Sequence, residues 1–321
     1  MNGFFLHLSI ADWVNSALET FVAQYGDSFH HFSVLVLRYL LVPLEGALRV
    51  APPWLALLVV GAIAWNATRR IGLGALFMLL LYAIGCFGLW DKLMQTLALM
   101  LVATVLSVAI GVPAGILASR SAWLRRMLLP VLDVMQTLPS FVYLIPVLML
   151  FGLGKVPAIL ATIIYALPPL IRLTDLGIRQ VDPDVTEAAR AFGTTRWQLL
   201  VNVQLPLARP SIMAGINQTT MMALSMVVIA SMIGSRGLGE DVLAGIQTLD
   251  VGKGTQAGLA IVILAIVIDR ISQGFGQERR ARRRLAQQRR QKGASRVPYR
   301  LPRKAQPAAV DSNQATQSSR A

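Results

Sequence analysis

Seven long apolar runs decide what this chain can fold into. They occupy 52–67, 71–90, 93–118, 128–152, 156–175, 211–233 and 257–275, and roughly 20 apolar residues cross a bilayer as a helix. Inside lipid no water satisfies backbone N–H and C=O groups, so only helices or closed barrels span it, and continuous apolar runs select helices. Composition agrees: 55% of the residues are hydrophobic and 14% charged, against about a quarter charged in an ordinary globular chain. Too few polar side chains remain to clothe a soluble surface. The expected fold is therefore an all-α polytopic membrane protein with about seven transmembrane helices. Residues 30–50 mix an apolar stripe with Arg38, Glu45 and Arg49 and read as an interfacial amphipathic helix, with a tilted eighth span as the competing reading.

Lys and Arg in short loops stay cytoplasmic, which sets the expected orientation. Arg69 and Arg70 follow the first run, Arg120, Arg125 and Arg126 the third, and Arg172, Arg179, Arg190, Arg196 and Arg209 lie in or beside the segment after the fifth. The alternate loops are poor in basic residues. This pattern places the N-terminus outside and the C-terminus in the cytoplasm. The opening MNGFFLHLSIADWV has no basic region ahead of its apolar residues, so insertion is expected to rely on the spans rather than a cleaved signal peptide. The domain reading that follows is an external or interfacial segment at 1–50, peripheral transmembrane helices at 51–90, a core at 91–275 containing a cytoplasmic loop at 180–210, and a basic disordered cytoplasmic tail at 276–321.

The net charge of +14 belongs mostly to that tail, where 13 basic residues face two acidic ones. Its reading is a solvated segment that enforces topology and touches anionic lipid; no nucleic-acid partner is expected. The three histidines, His7, His30 and His31, are all N-terminal, and Cys86 is the single cysteine. No nucleophilic triad, thiolate metal site or disulfide within one chain is expected from such a set. The phosphate-binding pattern GxxxxGK[ST] is missing around Lys253, so any ATP must be bound by a partner. Asp133, Asp175 and Asp269 fall near the expected cytoplasmic span ends, not mid-membrane where ion-coupled transporters carry carboxylates.

The stretch QVDPDVTEAARAFGTTRWQLLVNVQLPLARP at 180–210 is punctuated like a designed element. Asp182 is an N-cap and Pro183 sits at the first helical position, where its missing N–H costs nothing. Val185, Ala188, Ala189 and Phe192 recur at helical spacing on one face, and Gly193 ends the helix as a left-handed cap. Thr195 with Gln198 forms a capping-box pattern opening a second helix, Trp197 to Leu205, closed by Pro206. The product is a small knob with an alanine face, suited to a groove in another protein.

Glu187-Ala188-Ala189, Gly193 and Val203-x-Leu205-Pro206 resemble the EAA loop of ABC importer permeases, with Val203 in place of the usual Ile. The runs at 135–152, 166–174, 216–234 and 259–270 are similar to the permease subunit of glycine betaine, proline betaine and choline importers. The resemblance implies the type I ABC importer permease fold and a place in the inner membrane of a prokaryote. It implies a homodimer of permeases, two cytoplasmic ATPases binding ATP-Mg, and an external substrate-binding protein, with no cofactor or metal in this chain. It further implies that Glu187, Ala188, Ala189, Gly193, Thr194, Arg196, Leu205 and Pro206 couple the loop to the ATPase.

The candidate translocation path is read from polar residues in the spans. Pro130, Pro139 and Pro146 interrupt the run at 128–152 around Gln136 and Thr137, as happens where a helix lines a cavity. Asn217, Gln218, Thr220 and Ser225 are polar in the sixth run, and Tyr143 offers an aromatic face to a quaternary ammonium ion. Interhelical hydrogen bonding and packing are the competing roles for all of these. The Gly111–Gly115 pair permits close helix approach, within one subunit or between two. The alternatives are a permease for an amino acid such as proline or histidine, a secondary transporter, and a membrane-embedded enzyme.

Overall fold

In the computed structural model, residues 33–294 are described continuously, with side chains to Phe275, together with isolated positions between 12 and 31. Most of the expected N-terminal external segment, and the tail beyond Ala294, lie outside the described residues. The helices in order are α1 (Ser33–Val50), α2 (Pro53–Thr68), α3 (Ile71–Cys86), α4 (Trp90–Arg120), α5 (Ala122–Thr137), α6 (Ser140–Phe151), α7 (Lys155–Arg179), α8 (Pro183–Ala191), α9 (Arg196–Ile233), α10 (Leu238–Gln247) and α11 (Val251–Ala294). No strand occurs among the described residues. The chain divides into two compact units, Met1–Arg280 and Ala281–Ala321.

Helix α7 is the centre of the first unit, packed between α4 and α9. Lipid tails are as apolar as leucine, so burying apolar area does not itself drive helices together in a membrane; close packing and hydrogen bonds do. Small residues make that packing possible. A Cβ on Gly115 of α4 would lie 2.5 Å from Thr174 Cβ and 2.8 Å from the Ile171 carbonyl oxygen of α7. On the other side Gly177 of α7 meets Ser211 and the Ala208 carbonyl of α9. Towards the N-terminus of α7 from these contacts Ala158, Ala161, Ala166 and Leu170 are wholly buried, and Thr219 of α9 donates to the Ala166 carbonyl of α7 at 2.9 Å inside the core. The Gly111–Gly115 pair thus serves packing within the chain. Around this core Leu58, Leu79, Val105, Ile110, Leu117 and Val262 point outward, the apolar surface a lipid-facing bundle needs.

Among the described residues, four helices are long and apolar enough to cross a membrane: α4, α7, α9 and the Val251–Phe275 part of α11. Two bent pairs, α1 with α2 at 107° and α5 with α6 at 112°, raise the number to 6 if each is one span, and α3 is a shorter apolar helix of 16 residues. The interruption expected in the run at 128–152 takes the form of a bend at Pro139. Helix α5 starts at Ala122 and the chain turns at Leu138–Pro139, because the residue before proline is driven out of the helical region and Leu138 lies at φ −67°, ψ 135°. In α1, Leu41 and Glu45 are buried, and Glu45 accepts hydrogen bonds at both oxygens from Lys155 at 2.7 Å.

Two further expectations change at the chain's later elements. Pro206 does not close the second loop helix: α9 runs unbroken from Arg196 to Ile233 through a π-helical stretch at Leu199–Gln204. The ladder there shifts from five-residue back to four-residue spacing, and the missing proline N–H falls where the register is changing anyway. The last helix does not stop at residue 275 but continues to Ala294, consistent with its Arg, Gln and Ala content, all good helix formers.

Replacing Gly115 with leucine forces a side chain into Thr174 and the α7 backbone. Overpacking of this kind costs about 1–3 kcal/mol or more, so the purified protein in detergent should melt several degrees lower. Gly258→Ala, at a position with nothing within 4 Å, should leave the melting temperature unchanged.

Candidate functional site

The loop between α7 and α9 forms as its residues dictate. Asp182 accepts from the Asp184 backbone N–H at 3.0 Å and Pro183 opens α8. The helix is closed by Phe192 N–H to Ala188 carbonyl and Gly193 N–H to Arg190 carbonyl. Gly193 stands at φ +80°, a conformation glycine adopts without the steric cost a Cβ brings. Thr194 then folds back, its N–H and Oγ1 both donating to the Ala189 carbonyl, with the hydroxyl bond at 2.8 Å. The Thr195–Gln198 capping box is complete in both directions.

This stiff loop buries little of itself. None of the α8 side chains is buried. Glu187 and Ala188 are exposed and Ala189 half-buried, while Phe192 and Trp197 are 90% and 72% exposed. An apolar face held rigid and left open to solvent is the signature of a surface that meets another protein. The loop is fastened from beneath. Leu200 and Leu205 pack with Ile178 of α7 and Ile116 of α4, and Arg120 donates to Gln204 Oε1 at 3.0 Å and to the Arg196 carbonyl at 3.4 Å. Leu205 is thus a seat for the loop, and Pro206, itself exposed, lies inside α9 just after its π-helical stretch. Buried Asp175 ties the base together, accepting a bidentate pair from Arg179 at 2.9 and 3.0 Å and facing Arg125 of α5 at 3.7 Å; Arg172 pairs with Asp133. Leu205 and Arg196 belong to the coupling set that the resemblance implies; the bracing by Leu200, Arg120 and Asp175 does not follow from it. The Asp175–Arg179 pair was legible as an i, i+4 spacing; the pairs to α5 needed the tertiary fold.

The expected path residues divide between exposed and covered positions. Gln136 and Thr137 end α5 and are exposed beside the bend, and Gln218 and Ser225 are exposed seven residues apart on α9. The other three have partners within the protein. Asn217 donates to Asp269 of α11 at 3.2 Å, and Asp269 also accepts from Gln273. Thr220 is buried and bonded to its own helix at Ile216. Tyr143 is 7% exposed, edge-on to Tyr165 of α7 at 6.0 Å, and its hydroxyl donates to the Met135 carbonyl. That carbonyl is the one left orphaned by Pro139, which lacks the N–H that would have closed the last turn of α5. Tyr143 therefore replaces the missing donor and pins the 112° bend.

A bundle of membrane-spanning helices carrying a rigid, outward-facing apolar loop defines a transport permease subunit. The chain belongs to the family described as binding-protein-dependent transport system inner membrane component, which it matches over residues 108–280. It is 47% identical over 275 residues to the glycine betaine/proline betaine transport system permease protein ProW of Escherichia coli, covering 86% of this chain and 77% of that one. It is 49% identical over 232 residues to the glycine betaine transport system permease protein OpuAB of Bacillus subtilis, covering 72% and 82%. To the glycine betaine/carnitine transport permease protein GbuB of Listeria monocytogenes it is 42% identical over 274 residues, covering 84% and 96%. Among solved structures, inward-facing MetNI methionine ABC transporter matches with a TM-score of 0.53 at 22% identity, over 57% of this chain and 92% of that one, which establishes a shared fold.

Tyr143→Phe keeps the ring and removes the hydroxyl, leaving the part-buried Met135 carbonyl without that donor. A loss of about 1–3 kcal/mol is expected, seen as a lower melting temperature and faster amide exchange around residues 135–140. Tyr143→Ala should lose more, because the Tyr165 contact goes as well.

Proposed function

We propose that this chain is the permease subunit of an ATP-driven ABC importer for glycine betaine and related quaternary amines such as proline betaine and choline. The observation that carries the coupling half of this reading is the exposed EAA face, capped at both ends and seated on the core by Leu200, Leu205 and Arg120. Only a stiff element transmits displacement, so closure of an ATPase pair around ATP-Mg on α8 would rock α7 and α9 as bodies. Glu187, Ala188 and Ala189 form the contact, Gly193 and Thr194 set the turn, and Arg196, Leu205 and Pro206 join it to the span. The substrate half rests on the glycine betaine permeases named above, which favour a quaternary amine over an amino acid.

The finer topology is part of the proposal. Two permease copies work with two ATPases and an external binding protein. Each copy crosses the membrane seven times, counting each bent pair as one crossing and α3 as another, with the N-terminus outside and the C-terminus in the cytoplasm. The core at 91–275 then carries transport, the helices at 51–90 lie at its periphery, and the tail from 276 is cytoplasmic. Basic residues support this orientation, since Arg120, Arg125, Arg172, Arg179 and Arg196 all meet at the loop end of the bundle. Gln136, Thr137, Gln218 and Ser225 line the path, with Tyr143, Asn217 and Thr220 holding the helices that form it.

The test is uptake of radiolabelled glycine betaine and choline by cells lacking other importers. Uptake should need the neighbouring ATPase and binding protein together with this chain. Gly193→Val, at a site with no neighbour within 4 Å, acts through the turn alone: a β-branched residue at positive φ is strained, so uptake and transport-linked ATP hydrolysis should collapse while the protein remains in the membrane. Uptake by this chain alone would instead make it a secondary transporter.

A further inference from the structure

Beside the EAA helix the fold leaves a cleft whose polar lining is rich in donors and holds no carboxylate. It measures about 430 Å³ and lies where the ends of α4 and α7 meet α8 and the start of α9, bordered by Ser119, Arg120, Ile178, Arg179, Thr186 and Gln204. Both hydroxyl hydrogens are already spent, Ser119 donating to the Ile116 carbonyl at 2.7 Å and Thr186 to the Pro183 carbonyl at 2.8 Å. Two guanidinium groups and the Gln204 amide nitrogen remain to meet a ligand.

The charges of the two arginines are met differently. Arg179 donates through Nε and Nη2 to Asp175 at 2.9 and 3.0 Å, and Asp175 also faces Arg125 at 3.7 Å, so one carboxylate serves two cations. Arg120 has no ion pair among the described residues. Its hydrogen bonds to Gln204 Oε1 at 3.0 Å and to the Arg196 carbonyl at 3.4 Å go to neutral acceptors, and both leave from Nη2, so the N–H groups on Nε and Nη1 stay open. Asp182 and Asp184, at the start of α8, are exposed, and neither borders the cleft. Thr186 of the cleft wall directly precedes Glu187, so a protein gripping α8 through Glu187 and Ala188 covers this edge and takes water from the guanidinium. A cation that loses water without gaining a counter-charge is costly, and a carboxylate is the group that fits a guanidinium fork in bidentate fashion.

We propose that this cleft is an anion seat and that its occupant is an aspartate or glutamate side chain of the partner ATPase, received by Arg120 with Gln204 beside it. Arg120 then serves twice, fastening the start of α9 and giving the docked partner a charge-assisted anchor next to the apolar EAA face. An ATPase lacking the matching carboxylate would leave Arg120 covered and unpaired, so the seat selects the partner as well as holding it. The proposal rests on the importer reading and deepens it by naming the chemistry the ATPase must bring to the loop.

Binding of the neighbouring ATPase to the full-length permease, titrated in vesicles of phosphatidylcholine with and without phosphatidylglycerol, tests it. Arg120→Gln should weaken binding about tenfold and flatten its dependence on salt. Gln204→Leu removes the fastening but keeps the charge, so it should retain the wild-type salt dependence, a separation that a merely structural role for Arg120 does not produce. Arg120→Lys places an amine at the cleft, and a carbodiimide should then join residue 120 to one ATPase carboxylate, identified by mass spectrometry of the linked peptides. Wild-type affinity in Arg120→Gln would overturn the anion seat, as would the lack of an ATPase cross-link at residue 120 or a cross-link from it to Asp182 or Asp184 of this chain. A loss confined to phosphatidylglycerol vesicles would overturn it as well, giving the cleft to a lipid headgroup. Those outcomes leave the importer reading intact, whereas a wild-type chain that binds no ATPase overturns that reading and the seat with it.

Discussion

The close approach of α7 to α4 and α9 is the constraint on which the rest of this structure depends. In a bilayer the gain from hiding apolar surface was spent on insertion, so helices hold one another through backbone proximity and a few hydrogen bonds. Gly115 and Gly177 bring three helices within van der Waals contact of each other's main chain, and Thr219 adds a buried hydrogen bond to a carbonyl. Bodies packed this tightly cannot deform gradually. A push delivered at one end of α7 is therefore felt along its length, which is the property a coupled permease requires.

Charge is confined to the two ends of the packed core. At one end Asp175 and its arginines brace the EAA loop, and at the other the Glu45–Lys155, Arg49–Asp91 and Lys92–Asp241 pairs tie α1, α10 and the first turns of α4 and α7. Between them the polar groups are mainly hydroxyls and amides: Thr219 donates to a carbonyl, while Thr104 and Ser107 are buried with no hydrogen-bond partner among the described residues. This distribution keeps the span interiors cheap to insert while leaving partly exposed ion pairs at the helix ends. The rigid middle and the ionic ends belong to one device.

Proline acts differently in each helix, and its neighbours explain why. Pro183 starts α8 and Pro206 sits at a change of ladder register, so neither breaks anything. Pro139 breaks its run outright, and the orphaned carbonyl it creates is met by Tyr143 from the next helix. The aromatic ring that a sequence reading offers to a quaternary ammonium is thus a structural pin. Asn217 follows the same logic, being drawn into Asp269 across two helices.

What the sequence determined by itself was everything local or compositional. It set the membrane class through apolar runs, the EAA loop through Asp182, Pro183, Gly193 and the Thr195–Gln198 box, and the family through the spacing of Glu187, Gly193 and Leu205-Pro206. Caps and turns act over a few residues, so their signals are contiguous and readable. Tertiary structure decided which runs stay straight, which polar side chains face a neighbour, and which charges meet. The 112° bend, the rescue of Met135 by Tyr143 and the pairing of Lys92 with Asp241 all depend on groups from separate helices arriving at one place, and no spacing along a single chain records that arrival.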